Sequence, residues 1–300
     1  MSITCHSNSL TSSLLNLVDS YLVECTSHVS CDDHVDTAVN YHLASGGNKI
    51  RAKLTLETCH RLGIHDNDAV VMAAAIECLH NASLVHDDLM DGDKYRREKK
   101  AVWHKYNSQI AICAGDMLIA RAFGILSHLG YERKIGECLH MMREVTETTI
   151  EGQSADINSE TWHKLTTIQY CDTVALKSVP LLQICMAMPL SYAGVMISDQ
   201  ILKNVFNSFA SAYQIIDDIE DWQQDDAYGR CNYLSLLARE YTNYHPADLY
   251  YVAFQDAEKL LVNSEKNESQ LPPALSGLMT PYIQRLKLKM QTLQEDHAYD

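Results

Sequence analysis

Apolar positions recur at helical spacing through most of the chain, and no stretch keeps the sustained alternation of a half-buried strand. A first face of Leu10, Leu14, Leu17, Val18, Tyr21 and Leu22 predicts a helix over 9–27, with a second over 32–44. Gly46-Gly47 ends that helix in a positive-φ turn whose backbone amides lie open to an anion, and Lys49-Ile50-Arg51 begins the next. Val70 to Ile76 is unbroken apolar sequence inside a helix expected over 66–91, and a helix apolar all round belongs at the centre of a fold. Further helices are expected over 108–129, 133–157, 160–188, 195–222, 246–263 and 273–294. Breaks fall at Asn243-Tyr244-His245-Pro246 and Gln270-Leu271-Pro272-Pro273. With 12 Gly, 6 Pro, no repeat and no linker, the 300 residues predict one all-α domain, 1–300.

Two acidic runs interrupt this pattern at the same spacing: Asp87-Asp88-Leu89-Met90-Asp91 and Asp217-Asp218-Ile219-Glu220-Asp221. Residues four apart stack one turn above each other, so Asp87 pairs with Asp91 and Asp217 with Asp221. Like charges so placed repel unless a cation lies between them. Oxygen donors suit hard ions, and Mg²⁺ takes one or two carboxylates together with substrate phosphate oxygens and water.

A net charge of −15 disfavours a nucleic-acid partner, which needs a basic face. Against that acidity Lys49, Arg51, Lys53, Lys94, Arg96, Arg97, Lys99 and Lys100 form two basic islands, suited to small anions bridged by metal. The 10 Cys have no CxxC or zinc-type spacing and are expected as reduced core thiols. The N-terminus lacks the pattern of a signal peptide, and no window is expected to reach the ~20 apolar residues of a membrane span. The expectation is a cytoplasmic protein without an integral membrane segment.

The order of Gly46-Gly47-Asn48-Lys49-Ile50-Arg51, His80, Ser83 to Asp91, Arg96-Arg97, Ala114-Gly115-Asp116, Gly152 to Asp156, Lys177-Ser178 and Tyr213 to Asp218 resembles the trans-isoprenyl diphosphate synthases over about residues 40–222. One DDxxD alone is weak, because an acidic helix end is usually a solvated face; two of them in this order are specific. The resemblance implies a helical bundle around a central cavity, Mg²⁺ as cofactor and a homodimer. It assigns Asp87, Asp88, Asp91, Asp217, Asp218 and Asp221 to metal, with Asp87, Asp88, Lys177 and Asp217 central to catalysis. Arg96, Lys177, Ser178 and Gln214 would contact an allylic diphosphate. Gly47, Lys49, Arg51, His80 and Arg97 would hold isopentenyl diphosphate. Loss of diphosphate from the allylic substrate, attack of the alkene on the cation and loss of a proton would then add five carbons.

Three departures leave other readings open. Asn48 and Ala52 replace the family's lysine and proline, and Asn removes a positive charge from the isopentenyl subsite. Glu98-Lys99-Lys100 replaces Gly-x-Pro after the arginine pair. The loop after the second acidic run shrinks to Trp222 through Asn232, with Arg230 as a substitute for a diphosphate-binding lysine. A class I terpene cyclase, an irregular prenyl coupling enzyme and a non-catalytic partner subunit of a synthase are the alternatives. The second DDxxD argues against a cyclase, and the presence of both argues against a silent subunit. One turn before the first run lie Ala82 and Ser83, where short-chain relatives place an aromatic ring; these small residues favour a product of C20, with Phe123 or Met117 able to close the pocket.

Overall fold

The computed structural model describes residues 3–24, 34–157, 164–241 and 245–297. The expected end of the first helix, the expected starts at 32 and 160, and Asn243-Tyr244 of the first break lie outside the described residues. The fold is all-α, as the apolar periodicity requires. In chain order the helices are α1 (Ile3–Glu24), α2 (His34–Leu43), α3 (Ile50–Arg61), α4 (Asp66–Met90), α5 (Val102–Lys105), α6 (Ser108–Ile125), α7 (Glu132–Ile157), α8 (Thr167–Tyr192), α9 (Asp199–Tyr228), α10 (Tyr233–Glu240), α11 (Pro246–Glu268) and α12 (Thr280–His297). A two-stranded hairpin, β1 (Tyr95–Arg96) and β2 (Lys99–Lys100), follows α4.

The chain divides into two compact units, residues 1–146 with 184–196 and residues 147–183 with 197–300. The first is built on α4, which packs against α1, α3 and α6. Met72, Ala73, Ala74, Ala75 and Ile76 are fully buried, and the run of alanines lets neighbouring helices approach closely. Cys78 donates its thiol proton to the Leu118 carbonyl of α6 at 3.2 Å, and a buried Arg121–Asp36 ion pair ties α6 to α2.

In the second unit α9 packs along α11, with α10 and α12 beside it. Its apolar face buries Phe206, Ala212, Ile215, Ile216 and Ile219, which leaves Asp217, Glu220 and Asp221 on less buried positions of the same turns. Glu268 at the end of α11 accepts from the Met279 amide at 2.5 Å and the Thr280 hydroxyl at 3.2 Å, fixing the start of α12.

Several expectations are corrected. α9 does not stop at 222 but runs to Tyr228, where Gly229 caps it at φ 65°; Asn232 then caps α10, which sequence periodicity missed. The shortened loop is therefore only Gly229 to Asn232. α12 starts at Thr280, seven residues after the expected position, because Pro273–Leu275 forms a separate 3₁₀ turn. Three helices, Asp66–Met90, Ser108–His128 including a closing 3₁₀ turn, and Thr167–Tyr192, are long and apolar enough to cross a membrane by length and composition, contrary to the sequence reading. The apolar window of the first is 78% buried within the fold. Cys59, Cys78, Cys138 and Cys185 are core residues, whereas Cys113 is exposed.

Candidate functional site

In the first unit the Gly-Gly loop, α3, α4 and the β1–β2 hairpin bring most of the predicted basic residues together. Gly47 has φ 144°, a backbone conformation that side chains rarely adopt, and a Cβ there would lie 2.5 Å from the Arg97 guanidinium, which would have to shift from its path across the loop. Lys49 sits in the left-handed region ahead of α3, and its ammonium pairs with Asp19 of α1. Arg51 donates from Nη1 to Nε2 of His80 at 3.0 Å. That bond fixes the tautomer: Nε2 accepts, the proton is on Nδ1, and Nδ1 is buried with no partner. Burial, then the charges of Arg51, Arg97 and Arg96, hold the His80 pKa well below its ordinary value. His42, hydrogen-bonded to Asn81 at 3.1 Å, is lowered to about 4, chiefly by burial and then by Arg96 and Arg97.

The departure at Ala52 has a visible consequence. Proline would carry no amide proton, whereas the Ala52 amide donates to the buried Glu77 carboxylate at 3.3 Å. Burial raises the Glu77 pKa, opposed first by Arg51.

At the end of α4, Asp88 is 1% exposed and accepts from Arg96 Nε at 2.6 Å. Its second oxygen, Oδ2, is buried without a partner. Burial raises its pKa to about 6, with Arg96 pulling the other way. Asp87 is half-buried and Asp91 exposed. The two arginines are aimed by the hairpin turn, where Arg97 (φ 51°) and Glu98 (φ 64°) both occupy left-handed backbone. Glu98 stands where the family has glycine, so the turn keeps its shape under strain.

In the second unit α8 presents Lys177 and Ser178, both half-buried. A Cβ on Gly152 of α7 would lie 2.8 Å from the backbone of Leu176 and Lys177, so this glycine sets the depth of α8 where the predicted diphosphate residues begin. On α9, Asp218 is 4% exposed and both its oxygens are engaged. Oδ2 accepts from the Tyr170 hydroxyl at 2.5 Å and the Tyr233 amide at 2.8 Å, and Oδ1 accepts from Gln214 Nε2 at 2.7 Å. Burial lifts its pKa to about 7 despite these donors. Gln214 thus serves Asp218. Asp217 is bonded at 2.7 Å by Lys289 of α12, which also reaches Glu220 at 2.6 Å. Partial burial, followed by the charges of Asp217, Asp225 and Glu220, raises the Asp221 pKa. Tyr170 and Lys289 escaped the sequence reading, since neither lies in a motif; Tyr170 precedes Lys177 by two helical turns, the one spacing that hints at it.

Among the described residues no three His, Cys, Asp or Glu side chains form a ready-made metal cluster. A magnesium ion held by one or two carboxylates and completed by phosphate oxygens and water needs no such cluster. The residues present fit that mode: all the candidate donors are hard oxygens, and the buried Oδ2 of Asp88 has no protein partner.

The polyprenyl synthetase family model matches residues 32–230, and the chain belongs to that family. It is similar to a short chain isoprenyl diphosphate synthase of Methanocaldococcus jannaschii, 32% identical over 213 residues that cover 69% of this chain and 63% of that protein, less than two thirds of its length. It is also 26% identical to the farnesyl diphosphate synthase of Bacillus subtilis over 283 residues, 85% of this chain and 92% of that one. The solved geranylgeranyl pyrophosphate synthetase of the archaeon Geoglobus acetivorans superposes with a TM-score of 0.80 at 24% identity, covering 94% of this chain and 99% of the other, which establishes a common fold.

Proposed function

We propose that this chain is a Mg²⁺-dependent trans-prenyltransferase that condenses isopentenyl diphosphate with an allylic diphosphate. One observation carries the reading: α4 holds a buried His80 Nδ1 donor with no acceptor and, two turns on, a buried Asp88 Oδ2 acceptor with no donor. A negatively charged group and a cation are the complementary partners of those two atoms. A diphosphate bridged by metal supplies both.

In this reading Asp87 and Asp91 hold metal in the first unit, with Asp88 adding its free oxygen, and Asp217 and Asp221 hold metal in the second. Asp218 acts through position, because its oxygens already serve Tyr170, Tyr233 and Gln214. Bound Mg²⁺ would supply Lewis acidity for the negative charge that develops on the leaving diphosphate. In the first unit Arg96 is a ligand of the allylic diphosphate, and Arg51, His80 and Arg97 bind isopentenyl diphosphate, with Gly47 making room for Arg97; in the second unit Lys177 and Ser178 are diphosphate ligands. His80 stays neutral and donates a hydrogen bond, so the charge there comes from the arginines. Lys49, engaged by Asp19, contributes only after that pair opens. A second copy of the chain completes a homodimer.

The test is incubation with Mg²⁺, isopentenyl diphosphate and each of the C5, C10 and C15 allylic diphosphates, with products identified by mass. Elongated diphosphates are expected, with C20 as the principal product because Ala82 and Ser83 are small where short-chain relatives place an aromatic ring. A hydrocarbon or alcohol from the allylic substrate alone would instead make the chain a cyclase. Activity only after addition of another synthase would make it a partner subunit. Asn48 is exposed at the mouth of the isopentenyl subsite, so Asn48→Lys should lower the KM for that substrate; an unchanged KM removes Asn48 from the site.

A further inference from the structure

Lys289 lies 72 residues from Asp217 in sequence, yet its ammonium donates to Asp217 Oδ1 at 2.7 Å and to Glu220 at 2.6 Å. Between Lys203 and Gly229, α9 carries six carboxylates and no Lys or Arg, so a cation must come from another element. Burial works against the lysine charge, but its bonds to Asp217 and Glu220 outweigh that effect and hold it protonated. The neighbouring Lys287 turns to Glu265 of α11 instead, so the contact is particular to position 289.

We infer that Lys289 is a tethered cation that competes with free divalent metal for Asp217, so that metal enters the second acidic run together with a diphosphate rather than alone. This rests on Asp217 being a metal ligand. A metal ion on Asp217 and the ammonium at its Oδ1 would be two cations on one carboxylate, and Glu220 can retain the lysine once Asp217 is surrendered. Free Mg²⁺ gains two carboxylates and loses hydration water, while the protein loses one charged hydrogen bond. With diphosphate present, additional phosphate oxygens join the coordination and favour the exchange. The lysine thereby discourages metal binding in the absence of substrate.

The inference is tested by titrating substrate-free protein with Mn²⁺, followed by electron paramagnetic resonance of the free ion, in an Asp87→Ala/Asp88→Ala/Asp91→Ala background that leaves only the second run. Lys289→Met should tighten binding by about fivefold, the scale of a half-exposed ion pair. Lys289→Arg should restore weak binding, and Lys287→Met, with the same change in net charge, should leave it as in the parent. The gain from Lys289→Met should shrink when inorganic diphosphate is added. Equal affinity with and without Lys289, or an equal gain from Lys287→Met, overturns the inference. A separate arm with Asp217→Asn in the same background tests the underlying reading: if Mn²⁺ with diphosphate binds as well without Asp217, the metal assignment itself fails. Thermal unfolding of every variant verifies that each is folded.

Discussion

The two acidic runs share one spacing and differ in what their middle aspartates do. Asp88 meets one side chain, Arg96, and keeps an oxygen free, whereas Asp218 collects a tyrosine hydroxyl, a glutamine amide and a backbone amide from three helices. The first carboxylate is poised for an outside partner. The second is a fastener that joins α8, α9 and the start of α10. A motif defined by spacing therefore contains residues with unlike physical roles, and the donors around each carboxylate distinguish them.

The largest effect that separates the two is on stability. Asp218→Ala strands three donors, two of them buried, and should cost on the order of 4 kcal/mol in urea unfolding, against about 1 kcal/mol for Asp88→Ala, whose Arg96 can rehydrate. Equal costs would erase the distinction.

The basic surroundings of Asp88 give a second contrast, read by pH. The His42 pKa falls to about 4 in the folded state from an ordinary 6.5, so the unfolded chain takes up a proton first on acidification. That destabilisation is absent above pH 6.5 and grows as pH falls towards 4, reaching on the order of 3 kcal/mol. His42→Gln should remove this part of the acid sensitivity, so its stability relative to the parent should rise steadily from pH 7 to pH 4. A constant difference would contradict the assignment.

Tyr170→Phe removes one of the three donors to Asp218 and should cost about 1–2 kcal/mol, measured by urea unfolding with the slope unchanged. Smallest is Glu98→Gly, which should stabilise the protein by about 1 kcal/mol, because glycine accepts the left-handed backbone that Glu98 adopts at φ 64°. A loss of stability there would mean that the glutamate side chain holds the turn.

The contrast also marks what the chain makes legible. Helices with long apolar periods such as α4 and α11 were readable because burial writes its period into the sequence. The eight-residue α10 was not, since it is too short for a period to stand out and its Asn232 cap was read as part of a loop. The motif spacing named Asp217 and Asp218 together. It could not tell them apart, because their partners Lys289 and Tyr170 are brought in by helix packing across 72 and 48 residues. Likewise the missing proline at Ala52 read as a loss, until folding placed Glu77 against the new amide.

The central claim is that metal-assisted departure of a diphosphate depends on the outer carboxylates of both runs. It is tested most directly by steady-state turnover of Asp87→Ala and Asp217→Ala with Mg²⁺, isopentenyl diphosphate and an allylic diphosphate. Each folded variant should lose at least about 10²-fold in kcat, the scale expected when stabilisation of the leaving charge is removed. Near-parental turnover in either would contradict the account.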